Sequence, residues 1–340
     1  MNIPTNIPMP DGMTKEEIKE VLLREEYGYL PPKPDKVYAE EVETEEKFCA
    51  GKVIRKSLKI HFEAEFGKGS FPVNFTYPKS DKKVPLFVHI NFRPDVPDRY
   101  QPTEEICDRG YAVMSFCYKD VTDDKNEFES GIAKLIYPNG RKNPTDCGKL
   151  GIWAWAAMRC LDYAVTLPQI DSDRISVVGH SRLGKTALLS GMMDERFYCA
   201  ISNDSGCGGA AIARGNTGET INDIDRQFSY WFCENYKKYI DNEDNMPFDQ
   251  HWLLVANLPH KVYVASAKED LWACPPNEYL SCILADKYYR DAGKNGFIHP
   301  DRLPETGEVL HEGDIAYHIR EGRHYLSRED WNYFIDYLER

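Results

Sequence analysis

The segment Ile175-Ser-Val-Val-Gly-His-Ser-Arg-Leu-Gly-Lys185 restricts the fold more than any other stretch of the chain. Ile175, Val177 and Val178 have strand character, and they run into Gly179-His180-Ser181 with helix-forming residues directly behind. A strand that turns at once into a helix implies an α/β architecture. A serine on such a turn has its hydroxyl pushed clear of the sheet, where a base and a substrate carbonyl can reach it. The turn is cramped, so a side chain at Gly179 would crowd the helix. Elbows of this kind usually read Gly-x-Ser-x-Gly; here the second glycine arrives one residue late, as Gly184. Ser181 is read as a nucleophile, with Arg182 and Lys185 supplying local positive charge.

The rest of the 340-residue chain fits that architecture. Short apolar runs follow Pro85: Leu86–Phe92, Tyr111–Tyr118, Ile175–Val178, Ala200–Ser202, Val262–Ser266 and Ile315–Ile319. Strands buried on both faces read this way, which predicts a mostly parallel central sheet. Helical patterns alternate with them, most clearly where Trp153, Ala156, Ala157, Cys160, Leu161 and Ala164 share one face. Such alternation predicts a three-layer α/β sandwich. Ahead of it, residues 14–27 read as an amphipathic helix capped by Thr14 and closed by Pro31-Pro32. Residues 37–77 alternate as antiparallel strands do. No repeat or linker interrupts the sequence, so one domain over 1–340 is expected, with a helix and strand-rich extension (residues 1–80) packed on it.

Composition excludes several classes of function. Hydrophobic residues make up 42% of the chain, enough for a large core, so disorder is excluded. A net charge of −13 argues against nucleic acid, whose phosphates need a basic face. No apolar run reaches the length of a membrane span, so no membrane partner is expected. The ten cysteines include no C-x-x-C pair and no zinc-type Cys/His spacing, so neither a metal nor another cofactor is expected. Cys117, Cys160 and Cys199 fall in apparent strands or helices, as small hydrophobes do. The start, Met1-Asn-Ile-Pro-Thr-Asn-Ile-Pro8, lacks the basic and apolar regions of a secretion signal, which makes a cytoplasmic location the expectation.

A serine hydroxyl attacks well when a base takes its proton and a third group orients that base. In α/β-hydrolases the chain order is Ser, acid, His, with the last two on loops after later strands. His318 and His324 flank the final turn. His318 falls inside an apparent strand, where a packed role fits; His324 follows Gly322 on a loop and is the expected base. His180, next to the nucleophile, is expected to turn away from it. Asp270 follows the strand Val262–Ser266 and Asp204 follows the strand before it, so either or both can be the orienting acid, with Glu269 a third choice. The backbone N–H of Arg182 would be one oxyanion donor. No glycine run follows Phe92 to supply the second, which leaves the Arg182 guanidinium available.

With these residues in place the chain resembles bacterial members of carbohydrate esterase family fifteen, the glucuronoyl esterases. The resemblance rests on Gly179-His-Ser-Arg-Leu-Gly-Lys185, Ser202-Asn-Asp-Ser-Gly-Cys-Gly-Gly-Ala210, Tyr230-Trp-Phe-Cys-Glu-Asn235, Val264-Ala-Ser-Ala-Lys-Glu-Asp-Leu-Trp272 and His318-Ile-Arg-Glu-Gly-Arg-His324, in that order. Glu26-Tyr-Gly-Tyr-Leu-Pro31 is similar to that family's opening segment, and the match runs from about residue 85 onward. It implies an α/β-hydrolase fold and hydrolysis of the ester joining 4-O-methyl-glucuronic acid on xylan to lignin alcohols, through a Ser-His-Asp acyl-enzyme. By the resemblance, Ser181 is the nucleophile, His324 the base and Arg182 the oxyanion-stabilising arginine, with the acid after either strand. Lys185 and Trp272 resemble residues that hold the sugar, a small carbohydrate ester is the implied partner, and Trp231 is a further pocket residue. One departure is that the family's usual Trp-Ala-Asp-Pro reads Trp272-Ala-Cys-Pro275, so a carboxylate is missing beside the pocket. A cytoplasmic member would meet imported, soluble oligosaccharide esters. Two rival functions stand beside this one: an acetyl esterase acting on xylo-oligosaccharides with a smaller acyl pocket, and a non-catalytic carbohydrate-binding homologue.

Overall fold

The computed structural model describes residue 4 and residues 6–340; residues 1–3 and 5, part of the stretch read for a secretion signal, lie outside the described residues. The strands are β1 (Lys36–Phe48), β2 (Val53–Ala64), β3 (Gly67–Pro78), β4 (Val84–Asn91), β5 (Ala112–Cys117), β6 (Ile170–His180), β7 (Cys199–Asn203), β8 (Lys261–Ala267), β9 (Val309–Leu310) and β10 (Ile315–Arg320). They form one sheet in the order β1-β2-β3-β5-β4-β6-β7-β8-β10-β9. From β5 to β10 every neighbouring pair is parallel.

Two-sided burial explains the continuous apolar runs. β4 sends Leu86, Val88 and Ile90 into one core and Phe87 into the other. β8 does the same with Val262 and Val264 against Tyr263 and Ala265. Helices Lys149–Ala164, Arg182–Met193 and Pro275–Asp291 contribute to the first core, and helix Arg328–Leu338 fills the second with Trp331, Phe334 and Ile335. Burying a side chain such as Phe334 contributes about 1.5–3 kcal/mol. β6 starts earlier than its apolar run because Val84 pairs with Ile170 and Leu86 with Ile175, so the polar residues between them bulge from the ladder.

The N-terminal segment holds a helix and three antiparallel strands. Its strands do not pack on a face of the domain: β3 joins β5 antiparallel at Asn74–Ser115, Phe75–Met114 and Thr76–Val113, so β1–β3 extend the same sheet edge-on. Its helix is α-helical over Lys15–Leu22, with a Thr14–Glu17 capping box, and widens to a π-turn over Leu23–Tyr27. Gly28, at φ +80°, ends it before the prolines; a Cβ there would lie 2.5 Å from Cys147 Cα. Among the described residues no helix is long and apolar enough to cross a membrane.

Chain order positions the site. From β4 the chain steps outward to β5, then crosses back to β6 on β4's other side. A crevice opens at the carboxyl ends of the strands where the order reverses, and β6 delivers Ser181 there.

Candidate active site

Ser181 takes φ +59° and ψ −129° between β6 and helix Arg182–Met193. A non-glycine residue in so sparse a region costs about 1–3 kcal/mol, so neighbours must hold it. The Ser181 N–H donates to Asn203 O on β7 at 2.8 Å, and Ser181 O accepts from Gly184 N–H at 2.8 Å. A Cβ on Gly179 would lie 2.0 Å from Leu183 O, which is the crowding the elbow demands be avoided. The late glycine has its own reason: a Cβ on Gly184 would lie 3.1 Å from both Ser202 Oγ and Ser205 Cβ.

His324 Nδ1 lies 2.5 Å from Asp270 Oδ2. An ionised carboxylate accepts, so Nδ1–H donates and Nε2 is left to take a proton. Asp204 Oδ2 instead accepts from Arg320 Nη2 and from the Tyr325 N–H, each at 3.3 Å, and its Oδ1 is buried without a partner. Burial, with the charges of Glu278, Asp330 and Asp270, pushes the Asp204 carboxyl well above the usual carboxylate range, against the pull of Arg320. Glu269 turns to the surface, 3.5 Å from Arg323. His318 is fully buried, with Nδ1 against Tyr263 OH and Nε2 against Asp330 Oδ1, each at 2.8 Å.

His180 corrects an expectation. Its ring does not turn away from the site but packs 4.4 Å from the His324 ring, with Nδ1 2.6 Å from Asn203 Oδ1. Burial and the neighbouring His324 hold its pKa well below the usual histidine value, so it is a neutral support beneath the exposed imidazole.

In the loop after β4, Asn91 Oδ1 accepts from the N–H groups of Phe92 (2.7 Å) and Arg93 (3.4 Å), so neither of these amides is free for an oxyanion. The Arg182 guanidinium lies over the Trp231 ring, 4.5 Å from its centroid, and Nη1 bonds Asp124. Ser181, Arg182, Lys185, Glu219, Trp231, Trp272 and His324 line one cavity of about 160 Å³. The Lys185 ammonium is buried and all three of its donors are occupied, by Ser205 O, Cys207 O and Glu219 Oε2. Trp272 is half exposed, and its Nε1 donates to Glu219 Oε1 at 3.3 Å. Trp231 is buried.

Sequence reasoning missed three residues here: Glu219, Asp124 and Arg320. Glu219 supplies a carboxylate beside the pocket, bonded to Trp272 of the Trp272-Ala-Cys-Pro275 segment that has none of its own. Glu219 and Asp124 belong to no motif, and Arg320 lies inside the His318–His324 stretch without having been singled out there; in each case a contact with a distant segment marks the residue. Asp204, Asp270 and His324 also bring ligand atoms within 4.8 Å of one another, a spacing a cation could use. Such an ion would have to displace the His324–Asp270 bond and sit beside the Arg320 guanidinium.

A strained serine elbow on a parallel sheet, with a histidine behind the last strand bonded to a carboxylate from an earlier one, is the architecture of the α/β-hydrolases. Comparison with known proteins narrows this. A family profile described as "Glucuronyl esterase, fungi" matches residues 60–293. Carbohydrate esterase MZ0003, from an unknown prokaryotic organism, is 30% identical across 96% of this chain and 83% of its own length. The solved glucuronoyl esterase from Solibacter usitatus aligns with a TM-score of 0.89 at 29% identity, covering 100% of this chain and 97% of the other. A 4-O-methyl-glucuronoyl methylesterase of Podospora anserina is 28% identical across 82% of this chain, which spans 56% of that relative's length. The chain belongs to the glucuronoyl esterase family and is a carboxylic ester hydrolase.

Proposed function

We propose that the protein hydrolyses the 4-O-methyl-glucuronoyl ester of xylan-derived fragments by way of an acyl-enzyme on Ser181. The observation that carries this reading is the 2.5 Å His324–Asp270 bond beside a cavity that Ser181, Arg182 and His324 share. The name of the Podospora relative supplies the ester class. In the first half-reaction Ser181 Oγ bonds to the ester carbonyl carbon as its proton passes to His324 Nε2. The carbonyl electron pair moves to oxygen, where the Arg182 N–H and guanidinium stabilise it. Collapse breaks the bond to the alcohol, which leaves with the proton from His324. Water then repeats the sequence, releasing the uronic acid and restoring Ser181. Asp270 orients the imidazole and stabilises it while it carries the proton. Glu219 and the Trp272 indole offer an acceptor and a flat apolar face to the sugar.

The test offers purified protein a benzyl glucuronate ester and an acetylated xylo-oligosaccharide. Cleavage of the uronate ester with no acetate release is expected. Acetate release alone would move the function to an acetyl esterase, and sugar binding without turnover of either would make it a binding protein.

A further inference from the structure

Asp124, outside every sequence motif, is where four donors from three segments converge. Its Oδ2 accepts from Arg182 Nη1 and from Tyr118 OH, the latter at 3.0 Å. Its Oδ1 accepts from Trp231 Nε1 at 2.9 Å and, at 3.1 Å, shares the single Tyr230 hydroxyl proton with the Asp124 backbone carbonyl, 2.9 Å from that hydroxyl. Four donors saturate a carboxylate, and the side chain is 7% exposed. The Trp231 ring so held stacks on Phe228 at 4.0 Å with planes 3° apart, and the Arg182 guanidinium lies against both. Arg182 Nε stays buried and without a partner.

We infer that Asp124 is a positioning residue of the reaction: one carboxylate fixes the Arg182 guanidinium and the Trp231 indole relative to each other, so the donor beside Ser181 and the aromatic wall are set before the ester arrives. This rests on the role proposed above for Arg182. A long arginine side chain has many rotamers, and an oxyanion donor acts best when it needs no reorganisation at the moment charge develops. The ion pair also lowers the net charge around the guanidinium, so its contribution becomes directional hydrogen bonding rather than a bare field. Asparagine cannot substitute: whichever way its amide turns, the NH₂ faces a group that can only donate, the Arg182 guanidinium or the Trp231 indole N–H.

The test measures kcat and KM of the full chain and its Asp124→Asn, Arg182→Met and doubly substituted variants, with near-ultraviolet circular dichroism to verify folding. Each is assayed on a benzyl glucuronate ester and on p-nitrophenyl acetate, which needs the oxyanion donor but not the sugar wall. Asp124→Asn is expected to lower kcat about 10²-fold on both esters, the loss typical of one oxyanion donor, with KM changed less than about threefold. In the Arg182→Met background it should cost little more, because the two residues act as one unit. A kcat for Asp124→Asn within about threefold of wild type, or an undiminished loss in the Arg182→Met background, overturns the inference. If Asp124→Asn does not fold, Asp124→Glu, with its carboxylate displaced by one methylene, is expected to lose at least about tenfold in kcat at unchanged KM; a wild-type kcat there overturns it equally. An inert uronate ester sinks the proposed substrate, while the acetate series still reads the Asp124–Arg182 coupling.

Discussion

His324 Nδ1 bonds Asp270 Oδ2 at 2.5 Å, while Asp204, within 4.8 Å of the same pair, is bonded to Arg320 instead. Two carboxylates beside one imidazole thus have different surroundings. Arg320 organises the difference. Its Nε meets both oxygens of Asp330, at 2.9 and 2.8 Å, and its other nitrogens reach the carbonyls of Glu321, Arg323 and Tyr325 around His324. One guanidinium therefore clamps the histidine loop and neighbours the second carboxyl.

That asymmetry predicts unequal mutants. Asp270→Asn should lose on the order of 10⁴ in kcat, because the imidazolium loses its orienting charge. Asp204→Asn should lose less than about tenfold, since Asp204 makes no bond to His324 and an amide oxygen still accepts from Arg320 and Tyr325. Measuring kcat of both singles on one ester decides it. A near-normal Asp270→Asn beside an inactive Asp204→Asn would reverse the assignment.

Removing the proposed nucleophile should separate activity from stability. Ser181→Ala is expected to remain folded and lose on the order of 10⁶ in kcat. Ser181→Gly should be equally inactive yet melt higher than Ser181→Ala, because glycine relieves about 1 kcal/mol or more of the strain at φ +59°. Turnover by Ser181→Ala within about tenfold of wild type contradicts a serine mechanism; a lower melting point for the glycine variant contradicts the strain.

Chelation should change nothing. A Ser–His–Asp acyl transfer needs no metal, and the spacing of Asp204, Asp270 and His324 that a cation could use is already occupied by the His324–Asp270 bond. Dialysis against a chelator is expected to leave kcat intact. Inactivation reversed by a divalent ion would place a cation in the site.

The pH dependence of stability should carry the mark of Glu26. It is fully buried, with Oε1 accepting from Gln250 Nε2 at 2.9 Å and Oε2 unpartnered, and burial pushes its pKa up to about 8. Between its ordinary 4.5 and about 8 the folded chain holds a proton that the unfolded chain has released, so stability falls as pH rises through this window. Glu26→Gln should flatten the decline in melting temperature between about pH 5 and 8, as read by scanning calorimetry. An identical slope in the variant would remove Glu26 from the account.

The parallel strands were legible because Val262–Ser266 and its counterparts are buried on both faces, a condition set within five or six residues. The N-terminal helix was legible to its last residue, Tyr27, although what stops it, Gly28 set against Cys147, depends on a segment far along the chain. The packing of His180 was not legible because its partners, His324 and Asn203, come from other strands and loops.

The sequence by itself determined the elbow at Gly179–Ser181, the two-sided core of the sheet and the short list of groups that could serve the serine. These follow from crowding and burial among near neighbours in the chain. Tertiary structure alone decided which carboxylate meets His324, since Asp270 and Asp204 both follow strands and differ in what surrounds them. It also brought Asp124 to Arg182 across 58 residues, Lys185 to Glu219 across 34 and Asp204 to Arg320 across 116. Such contacts depend on how β6, β7, β8 and β10 align at one sheet end, and no local pattern of residues encodes that alignment.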